Sequence, residues 1–409
     1  MSEAVAARGI ERYRALLRVP HARELFLWAL LARLPMGMVP LALVLLVRDS
    51  GAGYGQAGAI VGAYLVAAAV GSPIAGRLVD RRGHARILRP RALLFPSLLL
   101  LIGALAELDA PTVAIGASAI AAGVLFPPVG ASLRSLWPRL LEEPELRAAA
   151  YALEASLQEV FFVVGPLLVA VVAGIASPSA TFVVAAAASA VGTLGFVSSA
   201  PVRDARPQEE QGRRSLLGAL ESPGVRTVVL ISACCGVAFG GVEVAVPAFA
   251  EAHGGVERAG IPLALFAAGS LVGGLVAGAR ISGSSRTLLR ASALLLALGL
   301  APPLLAGSLP LLSLLLFTAG LPIAPLFTAA YGLVDRAARR ESAAEAFAWI
   351  STAISGGLAA GAAVGGALID AQGVRASFAL GCSAAALAAL LALVGPGLEG
   401  TRPPDPERV

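Results

Sequence analysis

Long apolar runs separated by short polar, arginine-bearing corners recur along the whole chain. Stretches such as ELFLWALLARLPMGMVPLALVLLV, residues 24–47, are apolar on every helical face rather than on one stripe. This pattern predicts spanning helices, since about 20 apolar residues cross the hydrocarbon of a bilayer. A membrane barrel would instead show alternating segments of about 10 residues. Spans are expected near 24–47, 56–78, 87–106, 111–133, 148–174 and 179–199, then 224–249, 259–280, 286–306, 310–332, 343–369 and 374–395.

The expected fold is therefore all-α, with twelve transmembrane helices in two pseudo-symmetric six-helix bundles. The polar, proline-bearing stretch PVRDARPQEEQGRRSLLGALESPGVR divides the two sets of spans. The domain plan is a cytoplasmic lead (1–23), a first bundle (24–199), a linker (200–223), a second bundle (224–395) and a tail (396–409). The halves resemble each other where AGAIVGAYLVAAAVGSPIAG (57–76) aligns without gaps to AGIPLALFAAGSLVGGLVAG (259–278), matching at Gly58/Gly260, Gly71/Gly273 and Gly76/Gly278. Parallel repeats of six helices are one transporter architecture.

Composition agrees with a lipid solvent. Hydrophobic residues make up 57% and charged residues 14% of the 409, against about 25% charged in soluble domains, and the mean hydropathy is +0.81. Aromatic residues are only 5%, so the apolar content is Ala, Leu, Val and Gly, small side chains that let helix backbones approach in lipid. All 31 basic residues are arginine. With the N-terminus inside, only Arg48, Arg258 and Arg375 fall on external loops and Arg33 within a span, the rest lying on cytoplasmic loops and rims. That bias is the positive-inside rule, and it places both termini in the cytoplasm. It also explains the net charge of +5 without nucleic acid.

No apolar core precedes the first span, so no cleaved signal is expected. Cys234, Cys235 and Cys382 all lie in apolar runs, suggesting neither a disulfide framework nor a metal site. With no P-loop, zinc-ligand set or nucleophile motif, neither ATP-driven transport nor catalysis is expected, and no cofactor is expected. The excess of Ala, Arg and Gly without lysine suits a GC-rich bacterial genome and hence a bacterial cytoplasmic membrane.

After the second span comes GRLVDRRGHAR, with Gly76, Asp80, Arg81 and Gly83 spaced G-x-x-x-D-R-x-G. Here the chain resembles the major facilitator superfamily, whose loop between helices 2 and 3 carries that signature followed by two basic residues. This chain has His84 and Ala85 there instead. The resemblance implies the superfamily fold, and a gating role for Asp80 against the N-terminal end of helix 11, where a carboxylate gains up to about 1 kcal/mol from the helix dipole. In the fifth span VVGPLLVA, with Gly165 and Pro166, is similar to the Gly-Pro element of the drug/proton antiporter branch. A helix kink is the simpler reading of that pair.

Ionisable residues within a span cost about 2.5–3.5 kcal/mol and point to function. Arg33, Glu154, Glu159 and Glu243 qualify. Arg33 is expected to neutralise one glutamate of the fifth span while the other, Glu159 for preference, carries a coupled proton; a purely structural ion pair is the alternative. Prolines at 35 and 40, 127 and 128, 247, and 322 and 325 mark spans 1, 4, 7 and 10 as broken or moving. In the superfamily those helices line the central cavity. Met36, Met38, Phe126, Gln158, Phe162, Phe239 and Phe327 are its expected lining. A chain without Asn or Lys suits an amphipathic substrate better than a sugar, whose unpaired hydroxyls would be costly. The reading is proton-coupled efflux of small amphipathic or cationic molecules by a monomer in the lipid bilayer. A metabolite importer, or a lipid-handling or non-transporting protein on the same fold, is the alternative.

Overall fold

The computed structural model describes residues 14–205, 218–280, 284–337 and 343–398. The side chains of Asp80, Arg81, Gln158 and Glu159 lie outside the described residues. Fifteen longer helices are used below: α1 (Ala22–Arg33), α2 (Pro35–Asp49), α3 (Tyr54–Arg82), α4 (His84–Glu107), α5 (Thr112–Leu125), α6 (Val129–Leu140), α7 (Pro144–Ile175), α8 (Pro178–Ser198), α9 (Pro223–Ala252), α10 (Gly260–Arg280), α11 (Ser285–Leu300), α12 (Leu309–Gly320), α13 (Ile323–Ala337), α14 (Ala343–Gln372) and α15 (Val374–Val394). No strand occurs among the described residues. Among the described residues, eleven helical spans are long and apolar enough to cross a membrane. The twelfth expected span falls on α7, which contributes the apolar stretch Val160–Ile175 among the described residues.

The chain divides into two compact units, residues 1–51 with 67–211 and residues 52–66 with 212–409. In the first unit α1 packs on α8, α2 on α7 and α8, and α4 on α5 and α8. In the second, α9 packs on α14 and α15, and α11 on α12, α13 and α15. The pairings repeat: span 1 meets spans 5 and 6 as span 7 meets spans 11 and 12, and span 3 meets spans 4 and 6 as span 9 meets spans 10 and 12. Apolar side chains project outward, as Leu93, Leu94, Leu100 and Leu101 do from α4 and Leu294, Leu295 and Leu298 from α11, the arrangement that hydrocarbon surroundings favour.

Lipid removes most of the hydrophobic drive for helices to associate, so close packing has to supply it. Gly236 and Gly240 of α9 face Gly357 and Gly361 of α14, and a Cβ on any of the four would overlap a backbone carbonyl of the other helix. Gly37 of α2 and Gly165 of α7 cross in the same way in the first unit. Gly165 is thus a contact point, and α7 runs through Pro166 without a break.

Spans 1, 4 and 10 are each built from two helices. The breaks fall at Leu34, at residues 126–128 and at residues 321–322, beside the prolines that marked them, whereas Pro40 and Pro247 sit within unbroken helices. Gly71 and Gly273, matched in the repeat alignment, take equivalent places. A Cβ at Gly71 would meet the carbonyl of Val124 at the break of span 4, and one at Gly273 that of Leu321 at the break of span 10. At the first of these breaks Arg91 of α4, buried, donates from Nη1 to the carbonyls of Val124 (3.0 Å) and Phe126 (3.1 Å). Carbonyls freed inside hydrocarbon need such donors.

Neighbouring glycines of α14 separate these effects. Gly357 would drive a methyl into the Ala233 carbonyl, while Gly356 has nothing within 4 Å. Gly357→Ala is expected to lower the apparent Tm of the detergent-solubilised protein by several degrees, the cost of overpacking being about 1–3 kcal/mol. Gly356→Ala should leave it unchanged or slightly raised, because alanine favours the helix by up to about 1 kcal/mol. Equal melting of the two variants would remove the packing account.

Candidate functional site

Three helices of the first unit bring charges together at membrane depth. Arg33 ends α1, Arg134 lies on α6 and Glu154 on α7. Arg33 Nη1 donates to Glu154 Oε1 at 3.2 Å, with both side chains buried. Arg134 Nε approaches the same oxygen at 3.1 Å. Glu154 Oε2 is shut off from solvent and accepts no hydrogen bond among the described residues. The guanidinium of Arg33 also sits 5.0 Å above the centroid of the Phe161 ring, within cation–π range. Its other side presses on Gly130, where a Cβ would come within 3.1 Å of Arg33 Cζ. Glycine, one residue into α6, therefore makes the room for the guanidinium.

Arg134 is different in kind, its side chain being 56% exposed. Among the described residues its bonds run through Nε, to Glu154 and to the Gly130 carbonyl at 3.3 Å. Among the described residues Arg33 pairs with Glu154, one of the two glutamates expected for it, and the side chain of the other, Glu159, lies outside them. Sequence alone does not single out Arg134 or Phe161, because the expected span 4 ends at residue 133 and Phe161 lies in an uninterrupted apolar run.

In the second unit Glu243 lies on α9, with Oε2 shut off from solvent and without a hydrogen bond among the described residues. Aromatic rings run across this unit from Phe266 to Phe239 (6.0 Å), Phe327 (6.3 Å), Tyr331 (6.3 Å) and Phe347 (5.9 Å). Phe239 and Phe327 were expected to line a cavity, and the ring series adds three members to them. In the first unit Phe126 stacks edge-on to Phe95 at 5.2 Å, and Met36 and Phe162 are half-buried. Met38 is fully buried, because nearly every face of α2 is covered.

A second polar cluster lies at the start of α3, whose first residues belong to the second unit. Helix N-termini leave N–H groups without partners, and the preceding Gly53 has no side chain to cap them. Asp370 of α14 supplies the cap, accepting from Tyr54 N at 2.8 Å and Gly55 N at 2.7 Å. Tyr54 Oη donates to Glu251 of α9 at 2.5 Å. Side chains at Gly53 and Gly55 would collide with the carboxylate, and Gly58 and Gly62 face the carbonyls of Ala362 and Ala359.

At the other end of α3, the side chains of Asp80 and Arg81 lie outside the described residues. Gly83 has φ of 85°, which glycine adopts without strain, where α3 turns into α4. Gly76 has open space around it. His84, which departs from the signature, is buried, with Nε2 3.0 Å from Ser135 Oγ on α6.

Over 278 residues the chain is 28% identical to an uncharacterized MFS-type transporter, y4rN, of Sinorhizobium fredii, covering 65% of this chain and 68% of that one. Its fold is similar to a mutant of the nucleoside transporter NupG (TM-score 0.74, 15% identity, 92% of this chain and 98% of that one). It is also similar to the human organic anion transporter MFSD10, or TETRAN (0.62, 18%, 90% and 98%), and to a bacterial homolog of the human lysosomal transporter Spinster (0.70, 15%, 94% and 96%). The model of the Major Facilitator Superfamily matches residues 25–279 and 228–409. Repeat, paired breaks and family match agree, and the chain belongs to the Major Facilitator Superfamily as a multi-pass membrane transporter.

Proposed function

We propose that this protein is a proton-coupled secondary transporter that moves small amphipathic molecules by alternating access, with Glu154 as a protonation site. The observation that carries the reading is the Arg33–Glu154–Arg134 cluster, drawn from three helices of the first unit. Arginine keeps its charge in a protein, so Glu154 is the member able to gain and lose a proton. One carboxylate oxygen already holds both arginines while the other has no partner among the described residues. The aromatic series of the second unit supplies apolar surface for the rest of a substrate.

Glu243 supports a second reading. A buried carboxylate with an unpartnered oxygen suits exchange of a cation for a proton, the efflux mode expected from the sequence. Gly165 and Pro166 no longer argue for that direction, since helix packing accounts for Gly165. Glu159 stays a third candidate through its place on α7. The distribution of arginines supports a topology with both termini on the cytoplasmic side of a bacterial membrane, and a monomer is the proposed state.

In that topology the Tyr54 end of α3 faces outward, and Asp370 with Glu251 forms an outer clasp. Since α3 passes from the second unit into the first after residue 66, opening toward the outside requires the clasp to release. Asp80 is the proposed counterpart at the inner end.

In proteoliposomes with an imposed pH gradient, Glu154→Gln is expected to abolish proton-driven accumulation while leaving substrate exchange intact. Tetraphenylphosphonium, p-aminohippurate and glucose serve as the probes, and Glu243→Gln tests the second reading. Undiminished proton coupling in Glu154→Gln, Glu159→Gln and Glu243→Gln alike would falsify proton-coupled transport through these carboxylates.

For the clasp, a cysteine at Ala363, next to Gly62, is introduced with Cys234, Cys235 and Cys382 replaced by Ala. Asp370→Asn should raise its labelling by an external, membrane-impermeant maleimide severalfold, a cap of this kind being worth about 0.5–2 kcal/mol. An unchanged labelling rate would show that the contact does not gate.

A further inference from the structure

We infer that the aromatic series of the second unit is a binding track for a lipophilic organic monocation, and that Glu243 at one end of it holds the positive charge. The inference rests on the second reading above, exchange at Glu243, and names its substrate class. Phe239 and Glu243 are four residues apart on α9 and share one face of the helix. Helical side chains lean toward the N-terminus, which places the Glu243 carboxylate over the turn that carries Phe239. Its Oε2 is shut off from solvent and accepts no hydrogen bond among the described residues. The rings of Phe266, Phe239, Phe327, Tyr331 and Phe347 come from α10, α9, α13 and α14, and successive centroids are 5.9 to 6.3 Å apart. Rings from four helices that meet one another lie where those helices converge. None of the five is buried, and Tyr331 is 41% exposed. Phe95, Phe182 and Phe196 of the first unit, by contrast, are 0% exposed and serve as packing.

The face of an aromatic ring carries partial negative charge and attracts a cation within about 6 Å of its centroid. A cation moving along the series therefore stays in range of one ring or the next, and Glu243 then supplies a full negative charge. An anion meets the same sign at every step. A compact, strongly hydrated ammonium loses much hydration on entering apolar surroundings, whereas a cation shielded by aryl groups loses little. That contrast sets the class: an aryl phosphonium or a fused aromatic cation rather than a small amine. In the proposed topology Tyr331, late in α13, and Phe347, early in α14, mark the cytoplasmic end, so the series admits a cation from inside. The titratable and charged groups described at the Glu251 end of α9, and at the same end of the elements packed on it, are Glu251, His253, Glu257, Arg258, Asp370 and Arg375. None of them pairs with Glu243 among the described residues. A proton and the organic cation thus compete for Glu243: binding of one monocation releases one proton to water, and protonation releases the monocation.

The test uses the purified full-length protein in detergent. Binding of labelled tetraphenylphosphonium is measured by equilibrium dialysis, with ethidium as a second cation and tetraphenylborate as an anion of the same shape. Saturable binding is expected that ethidium displaces and tetraphenylborate does not, weaker at pH 5.5 than at pH 7.5 and accompanied by proton release. Glu243→Gln should raise the Kd by about 10–100-fold and remove its dependence on pH. Glu243→Asp, which keeps the charge, should recover part of the affinity. Phe239→Leu and Phe327→Leu should each raise the Kd by about 3–10-fold, while Phe327→Trp, which keeps a ring face, should bind as the unaltered protein does. No saturable binding of either cation overturns the inference, as does equal displacement by tetraphenylborate or a Kd that Phe239→Leu and Phe327→Leu leave unchanged. If Glu243→Gln binds tetraphenylphosphonium normally while Glu154→Gln abolishes proton-driven accumulation in proteoliposomes, transport coupled through Glu154 stands and the cation track falls. If cations bind through Glu243 and the rings with no dependence on pH, the track stands and exchange for a proton at Glu243 falls.

Discussion

A polar group in hydrocarbon has no water to fall back on, and a donor or acceptor left without a partner there costs several kcal/mol. This requirement organises the protein from backbone to charge. The carbonyls released at the break of span 4 are met by Arg91. The uncapped start of α3 is met by Asp370, from a helix more than 300 residues further along the chain. Glu154 is met twice, by Arg33 and Arg134. Each solution ties one span to another, so satisfying local polar groups also sets which helices stay together.

Helix association follows the same logic from the apolar side. Where burying leucine gains little over leaving it in lipid, contact area between backbones decides the pairing. The crossing of α9 with α14 uses two glycines from each helix, and that of α2 with α7 uses one from each. The two units reuse this scheme with different contents. The first carries the charged cluster, and the second carries the aromatic series and a buried glutamate, Glu243. The two units are equivalent scaffolds, and they differ in the side chains with chemical roles that they carry.

Much of the fold was legible because its signals are long. Apolar runs of spanning length, and arginines alternating between sides, integrate over many residues, so errors at single positions hardly matter. The repeat alignment of Gly71 with Gly273 also carried structural meaning, since both receive a carbonyl at a helix break. The site was legible only where one span supplied the anomaly: Arg33 and Glu154 were visible as charges in apolar surroundings. Arg134 was hidden by a boundary drawn one residue short of it, at 133. Arg91 looked like an ordinary rim arginine, and nothing in its neighbours announces two carbonyls more than 30 residues away. Asp370 was hidden for another reason. Its partners are main-chain N–H groups, which leave no trace in residue identity beyond the absence of a capping side chain at Gly53.

The course of α3 bears on how this molecule can be taken apart. Its opening residues are packed by glycine contacts into one unit, and its remainder is integral to the other. A gene cut at the polar connector would therefore not yield two self-sufficient pieces. One fragment would carry a bare strip of glycine, and the other would lack the segment that covers α14. Fragment complementation, rather than independent expression, is the appropriate way to handle the halves.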